Sequence, residues 1–133
     1  MKRLLSLTLI LLLFAGCAAA PAVPKASCTV KITGLDGAAM LETAVSLNEG
    51  DTALSVTERA VNENKLTLDV TGSGATAYVS GIGQLYELDE GPMSGWLFKQ
   101  NGEIGAEGCA AAKVADGDTV EWFYITDFST VKW

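Results

Sequence analysis

The chain has 133 residues, 49% of them hydrophobic, with 9 Lys+Arg against 16 Asp+Glu, no histidine and a formal net charge of −7. That balance argues against a nucleic-acid-binding surface and against docking on anionic lipid headgroups. The missing histidine removes the commonest general base and transition-metal ligand and excludes Ser-His or Cys-His nucleophile pairs within the chain.

The N-terminus reads as an export signal. Lys2 and Arg3 precede an apolar run from Leu4 to Phe14, broken only by Ser6 and Thr8. At 11 residues the run fits a signal-peptide h-region and falls short of the roughly 20 needed to span a bilayer. Phe14-Ala15-Gly16-Cys17 then resembles the lipobox of bacterial lipoprotein precursors, with Phe14 in place of the usual Leu. The expectation is that residues 1–16 form a lipoprotein signal peptide and that Cys17 carries acyl chains, palmitate among them. Residues 17–27 then make a semi-rigid tether through Pro21 and Pro24. Ordinary signal-peptidase cleavage among Ala18 to Ala22 is the alternative. The mature protein would sit on the extracytoplasmic side of a cell membrane. Removing residues 1–16 takes two bases and no acid, which leaves seven basic against sixteen acidic residues, net −9.

With Cys17 acylated, Cys28 and Cys109 remain as a pair in a disulfide-permissive compartment. A bridge between them is expected, worth roughly 4 kcal/mol on the chain-entropy model; two free buried thiols are the alternative.

Residues 28–133 suffice for one domain with one core. In Cys28 to Gly34, Val30 and Ile32 alternate with polar residues and predict a strand. Leu35-Asp36-Gly37 is a turn, and Glu42 to Leu47 reads as the second arm of a hairpin. Asp51 is a candidate N-cap for a helix over about Thr52 to Asn64, where Ala53, Leu54, Val56, Thr57, Ala60 and Val61 recur at helical spacing. Leu66 to Val70 and Thr76 to Ile82 read as strands, the second containing Gly81, which invites a bend. Gln84 to Glu90 is an irregular acidic stretch. Ser94 to Gln100 is a strand with Trp96 and Phe98 on one face, followed by the Asn101-Gly102 turn. Ile104 to Ala112 is a glycine-rich loop, and Asp116-Gly117-Asp118 a tight turn. Thr119 to Ile125 is apolar on both faces and is expected in the sheet interior. The order predicts an α+β, β-grasp-like fold, with one helix packed on a mixed sheet after an N-terminal hairpin.

No residue set supports catalysis or metal binding. Asp116 and Asp118 are a fragment of a calcium loop, which needs six or more oxygens. Glu87, Asp89 and Glu90 form a solvated run without a second carboxylate cluster for glycoside hydrolysis. The glycines at 72, 74, 81 and 83 match no phosphate loop. The expectation is a protein that is not an enzyme and holds no cofactor.

Several segments together resemble the C-terminal domain of transcobalamin and intrinsic factor, and more closely the related bacterial surface domains. They are CTVKI from Cys28, GDTALSVTERAV from Gly50, YVSGIGQLYE from Tyr78, SGWLFKQNG from Ser94 and EGCAAAKVADGDTVEWFY from Glu107. The resemblance implies a β-grasp-like fold that binds cobalamin or another corrinoid, here without a histidine to offer its cobalt. It places ligand contacts at Trp96 and Phe98, on the loop at Ile104, Gly105, Glu107 and Gly108, and at Tyr86 near the same edge. In the eukaryotic carriers a large helical domain covers the other side of the ligand. Tight binding by this chain is therefore expected to need a second protein or a homodimer. A surface module for protein–protein contacts, without a small-molecule ligand, is the alternative.

Overall fold

A computed structural model describes residues 24–133. The signal peptide, Cys17 and the first part of the tether lie outside the described residues. Among the described residues no helix is long and apolar enough to cross a membrane.

The expected hairpin is present. Strand β1 (Ser27–Thr33) pairs antiparallel with β2 (Ala39–Ser46), from Ser27 opposite Ser46 to Thr33 opposite Ala39. The turn between them places Asp36 and Gly37 at φ of 56° and 76°, left-handed values that Asp and Gly tolerate best. Helix α1 (Ala53–Glu63) follows, then the short strands β3 (Leu68–Thr71), β4 (Tyr78–Ile82) and β5 (Leu85–Tyr86). Strands β6 (Gly95–Gln100) and β7 (Thr119–Ile125) complete the order.

The four-stranded sheet runs β2-β1-β7-β6. Its central pair, β1 and β7, is parallel, and both flanking pairs are antiparallel. β7 is interior, as its apolar sequence predicts. Val120, Trp122 and Tyr124 are buried on its inner face, while Phe123 and Ile125 are half-buried on the other. There the Lys99 ammonium lies 4.8 Å from the centre of the Phe123 ring.

The chain is an α+β protein, with one difference from the expected single sheet. Strands β3, β4 and β5 form a second, antiparallel sheet of their own. β4 comes against β6 without hydrogen bonding to it. The register of β3 against β4 shifts between Asp69 and Val70, and such a bulge turns a strand away from continuous pairing.

α1 begins one residue later than the Asp51 cap predicts. Thr52 is the N-cap: its hydroxyl accepts from the Ser55 amide at 3.2 Å, and Ser55 Oγ accepts from the Thr52 amide at 2.9 Å. This reciprocal pair satisfies two amides, one of them an otherwise orphaned helix donor. Asp51 is instead an anchor. Its carboxylate accepts from the Asn48 amide at 2.7 Å, from Ser55 Oγ at 2.9 Å, and from both terminal nitrogens of Arg59. Arg59 also donates to the Ser46 carbonyl at 3.0 Å, which ties the end of β2 to the helix.

Ala53, Val56, Thr57, Ala60 and Val61 form the buried face of α1. Burying each valine contributes about 1.5–3 kcal/mol. The face meets Val30, Ile32, Val45, Val120 and Trp122 in one core.

The two cysteines expected to bridge are separate, buried, free thiols. Cys28 sits on β1 opposite Val45. Cys109 sits in the loop before β7, and its thiol donates to the Ala77 carbonyl ahead of β4 at 3.6 Å. The two side chains serve different parts of the core: one belongs to the hairpin, the other is turned to the second sheet. Burial raises the pKa of both thiols, so neither is an activated thiolate.

Candidate ligand-binding site

A cavity of about 260 Å³ opens where β4, β6 and the loop from Ile104 to Cys109 meet. Strand alternation puts Trp96 and Phe98 on the inner face of β6, opposite Tyr124 and Trp122 of β7. The Trp96 indole N–H donates to the Leu85 carbonyl at 2.9 Å, and its ring meets Tyr124 edge to face at 5.3 Å. Phe98 lies tilted against Trp122 at 5.2 Å. Hydrogen bonding and ring packing thus fix Trp96 in one orientation while it borders the cavity.

The opposite wall is the loop. Ile104 is half-buried, and Gly105, Glu107 and Gly108 are exposed along its rim. Its far end is held by the helix: the amides of Ala53 and Leu54 donate to the carbonyls of Ala112 and Cys109, each at 2.9 Å. These are first-turn donors with no partner inside the helix. The Gly108 carbonyl accepts from the Ala111 and Ala112 amides, both at 3.0 Å.

Six of the seven ligand contacts expected from the sequence therefore line one cavity: Trp96, Phe98, Ile104, Gly105, Glu107 and Gly108. Tyr86 does not. Its ring lies against Gly81 of β4, on ground that any side chain at Gly81 would occupy. The Asp69 carboxylate beside its hydroxyl raises the phenol pKa. Two aromatic residues that the sequence did not single out, Tyr78 and Trp133, also line the cavity. Tyr78 donates to Glu87 at 3.1 Å. Its position on an aromatic-containing strand was a usable signal; Trp133, beyond the last strand and without periodic neighbours, offered none.

Trp122 lines the floor of the cavity yet belongs to the core, as only 2% of its surface is exposed. Its indole N–H donates to Thr57 Oγ1 at 2.8 Å, and that hydroxyl donates to the Ala53 carbonyl at 2.6 Å. Among the described residues lining the cavity, Glu107 is the one with a charged side chain. Among the described residues no group of three or more His, Cys, Asp or Glu side chains gathers as a metal site. In the Asp116-Gly117-Asp118 turn, the Asp118 carboxylate accepts from the Ala115 amide, Asn101 Nδ2 and Gln100 Nε2 at 2.9–3.0 Å. Those bonds lower its pKa and fasten the turn after β6 to the start of β7.

The family model described as Domain of unknown function (DUF4430) matches residues 50–126. The chain belongs to the DUF4430 family. The match runs from the α1 cap through β7, so the DUF4430 segment contains every residue of the cavity wall named above except Trp133. No curated protein sequence matches. Among solved structures, a protein from Ruminococcus gnavus ATCC 29149, provisionally named as metal binding, is 16% identical with a TM-score of 0.55. The similarity covers 76% of this chain and 97% of that one. Haptocorrin in complex with Cbi is 20% identical with a TM-score of 0.61, over 80% of this chain and 27% of haptocorrin. The DUF4430 chain thus corresponds to about a quarter of haptocorrin's length. At these identities the likeness shows a shared fold.

Proposed function

We propose that this DUF4430 protein is a non-catalytic ligand-binding lipoprotein, held at the extracytoplasmic face of a membrane through Cys17, with a corrinoid as its ligand. The convergence of Trp96, Phe98 and the Ile104–Gly108 loop on one aromatic cavity carries the reading. The structural likeness to haptocorrin bound to Cbi supports the ligand class. Fold kinship does not fix a ligand, so the cavity chemistry must be tested directly. A space of about 260 Å³ is smaller than a whole macrocycle. It takes an edge or substituent, and a second protein or a second copy of the chain covers the rest.

Titration of the purified protein with cobinamide and cyanocobalamin, followed by tryptophan fluorescence, tests the reading. Saturable quenching is expected, and Trp96→Ala should weaken it far more than Trp122→Phe. Equal effects would remove the site assignment, and no response at high micromolar ligand would favour a protein–protein interaction module. For the anchor, Cys17→Ala should release the protein from the membrane fraction; continued membrane recovery would refute lipid tethering.

A further inference from the structure

We infer that the cavity selects an organic cation, an alkylated ammonium on a small apolar body, through its aromatic walls and Glu107. The inference rests on the reading of this cavity as the ligand site and gives it a second ligand class, which would compete with a corrinoid edge for the same space. Five of its lining residues are aromatic; Tyr78, Phe98 and Trp133 keep exposed surface, while Trp96 and Trp122 are buried behind them. Each ring face carries negative electrostatic potential, which attracts a cation and offers nothing to an anion.

Glu107 sets the sign of the site. It is the one charged side chain of the described lining, and no ion pair among the described residues involves it. Lys99 is on the same strand as Trp96 and Phe98, but its ammonium lies over Phe123 on the other side of the sheet. The exposed Glu107 carboxylate at the rim attracts an alkylated ammonium at the cavity mouth and offers nothing to a neutral apolar ligand of the same shape. An alkylated ammonium also tolerates walls that donate few hydrogen bonds.

Inorganic cations are poorly served. A calcium ion needs six or more oxygens, and the lining supplies one side-chain carboxylate. Size points the same way, since about 260 Å³ accommodates a trimethylammonium group with a short chain. The net charge of −7 on the whole chain adds long-range attraction for cations.

Choline and its neutral isostere 3,3-dimethyl-1-butanol test the inference. The purified protein is titrated with each at low and high salt, and tryptophan fluorescence is recorded. Choline should half-saturate at a concentration about tenfold or more below the alcohol. Glu107→Gln should shrink that preference below about threefold. Glu107 is exposed, so the variant should fold, and its circular dichroism spectrum checks that. Equal affinity for the two probes, or an unchanged preference in Glu107→Gln, overturns the inference and leaves the ligand-site reading standing. If neither probe binds and cobinamide does, the inference falls alone. If none of the three binds, both fall.

Discussion

Asp51 holds Arg59 by both terminal guanidinium nitrogens, and through Arg59 the end of β2 is tied to the middle of α1. Only 7% of the Asp51 side chain is exposed, against 31% of Arg59. Breaking such a pair strands one charge in a partly buried position, with a cost between those of exposed and buried ion pairs. Asp51→Asn should therefore destabilise the fold by about 2 kcal/mol at neutral pH, measured by urea unfolding.

The same contact makes a pH prediction. The Arg59 hydrogen bonds, aided by the Asn48 amide and Ser55, hold the Asp51 carboxyl well below the usual carboxylate range. A folded-state pKa below the unfolded one means that the stability is present above the unfolded value, near 4, and is lost as pH falls toward the folded value. Asp118 is shifted in the same direction by its hydrogen bonds. Wild type should lose stability steadily below about pH 4, and its advantage over Asp51→Asn should narrow there. A constant gap from pH 7 to pH 2 would contradict this account.

Thr57 should behave as a polar keystone. It has no exposed surface and accepts the Trp122 indole N–H. Thr57→Val keeps the volume but orphans a buried donor, at about 1–3 kcal/mol. Thr57→Ser keeps the acceptor and loses one methyl, at about 1 kcal/mol. Thermal melts that rank valine above serine in stability would show that the hydrogen bond contributes little.

The thiols give a direct chemical test. Cys28 and Cys109 should resist labelling in the native protein and react fully in denaturant without reductant. Adding dithiothreitol should leave the melting temperature unchanged. Labelling that requires prior reduction would restore the bridge.

Gly81 should be intolerant of substitution. A Cβ there would overlap the Tyr86 ring, and overpacking of this kind costs about 1–3 kcal/mol. Gly81→Ala in a Tyr86→Ala background should recover much of the loss, as read from denaturation midpoints.

Periodic segments were legible in the sequence. β1, α1 and β7 each bury one face, and that face is written at spacings of two or of three and four. The split into two sheets was not legible, because β4 pairing with β3 and β5 rather than with β6 is a choice among long-range partners. Asp51 and Thr52 are both good caps one residue apart, and the decision belonged to Arg59, eight residues on. Counting Cys28 and Cys109 as an even pair said nothing about which part of the core each fills. At the site, Trp96, Phe98 and the loop were found because strand alternation and the family resemblance agreed. The resemblance puts Tyr86 near the same edge, yet its ring lies against Gly81.

The bonds from the Ala53 and Leu54 amides to the Ala112 and Cys109 carbonyls join the first turn of α1 to the wall of the cavity. Those two amides lose their partners only when the loop swings away, so loop and helix start form one opening unit. The Cys109 end of the cavity wall is consequently ordered together with the helix it is bonded to. Slow solvent exchange at two backbone positions on the helix thus reports the state of a pocket that neither residue lines.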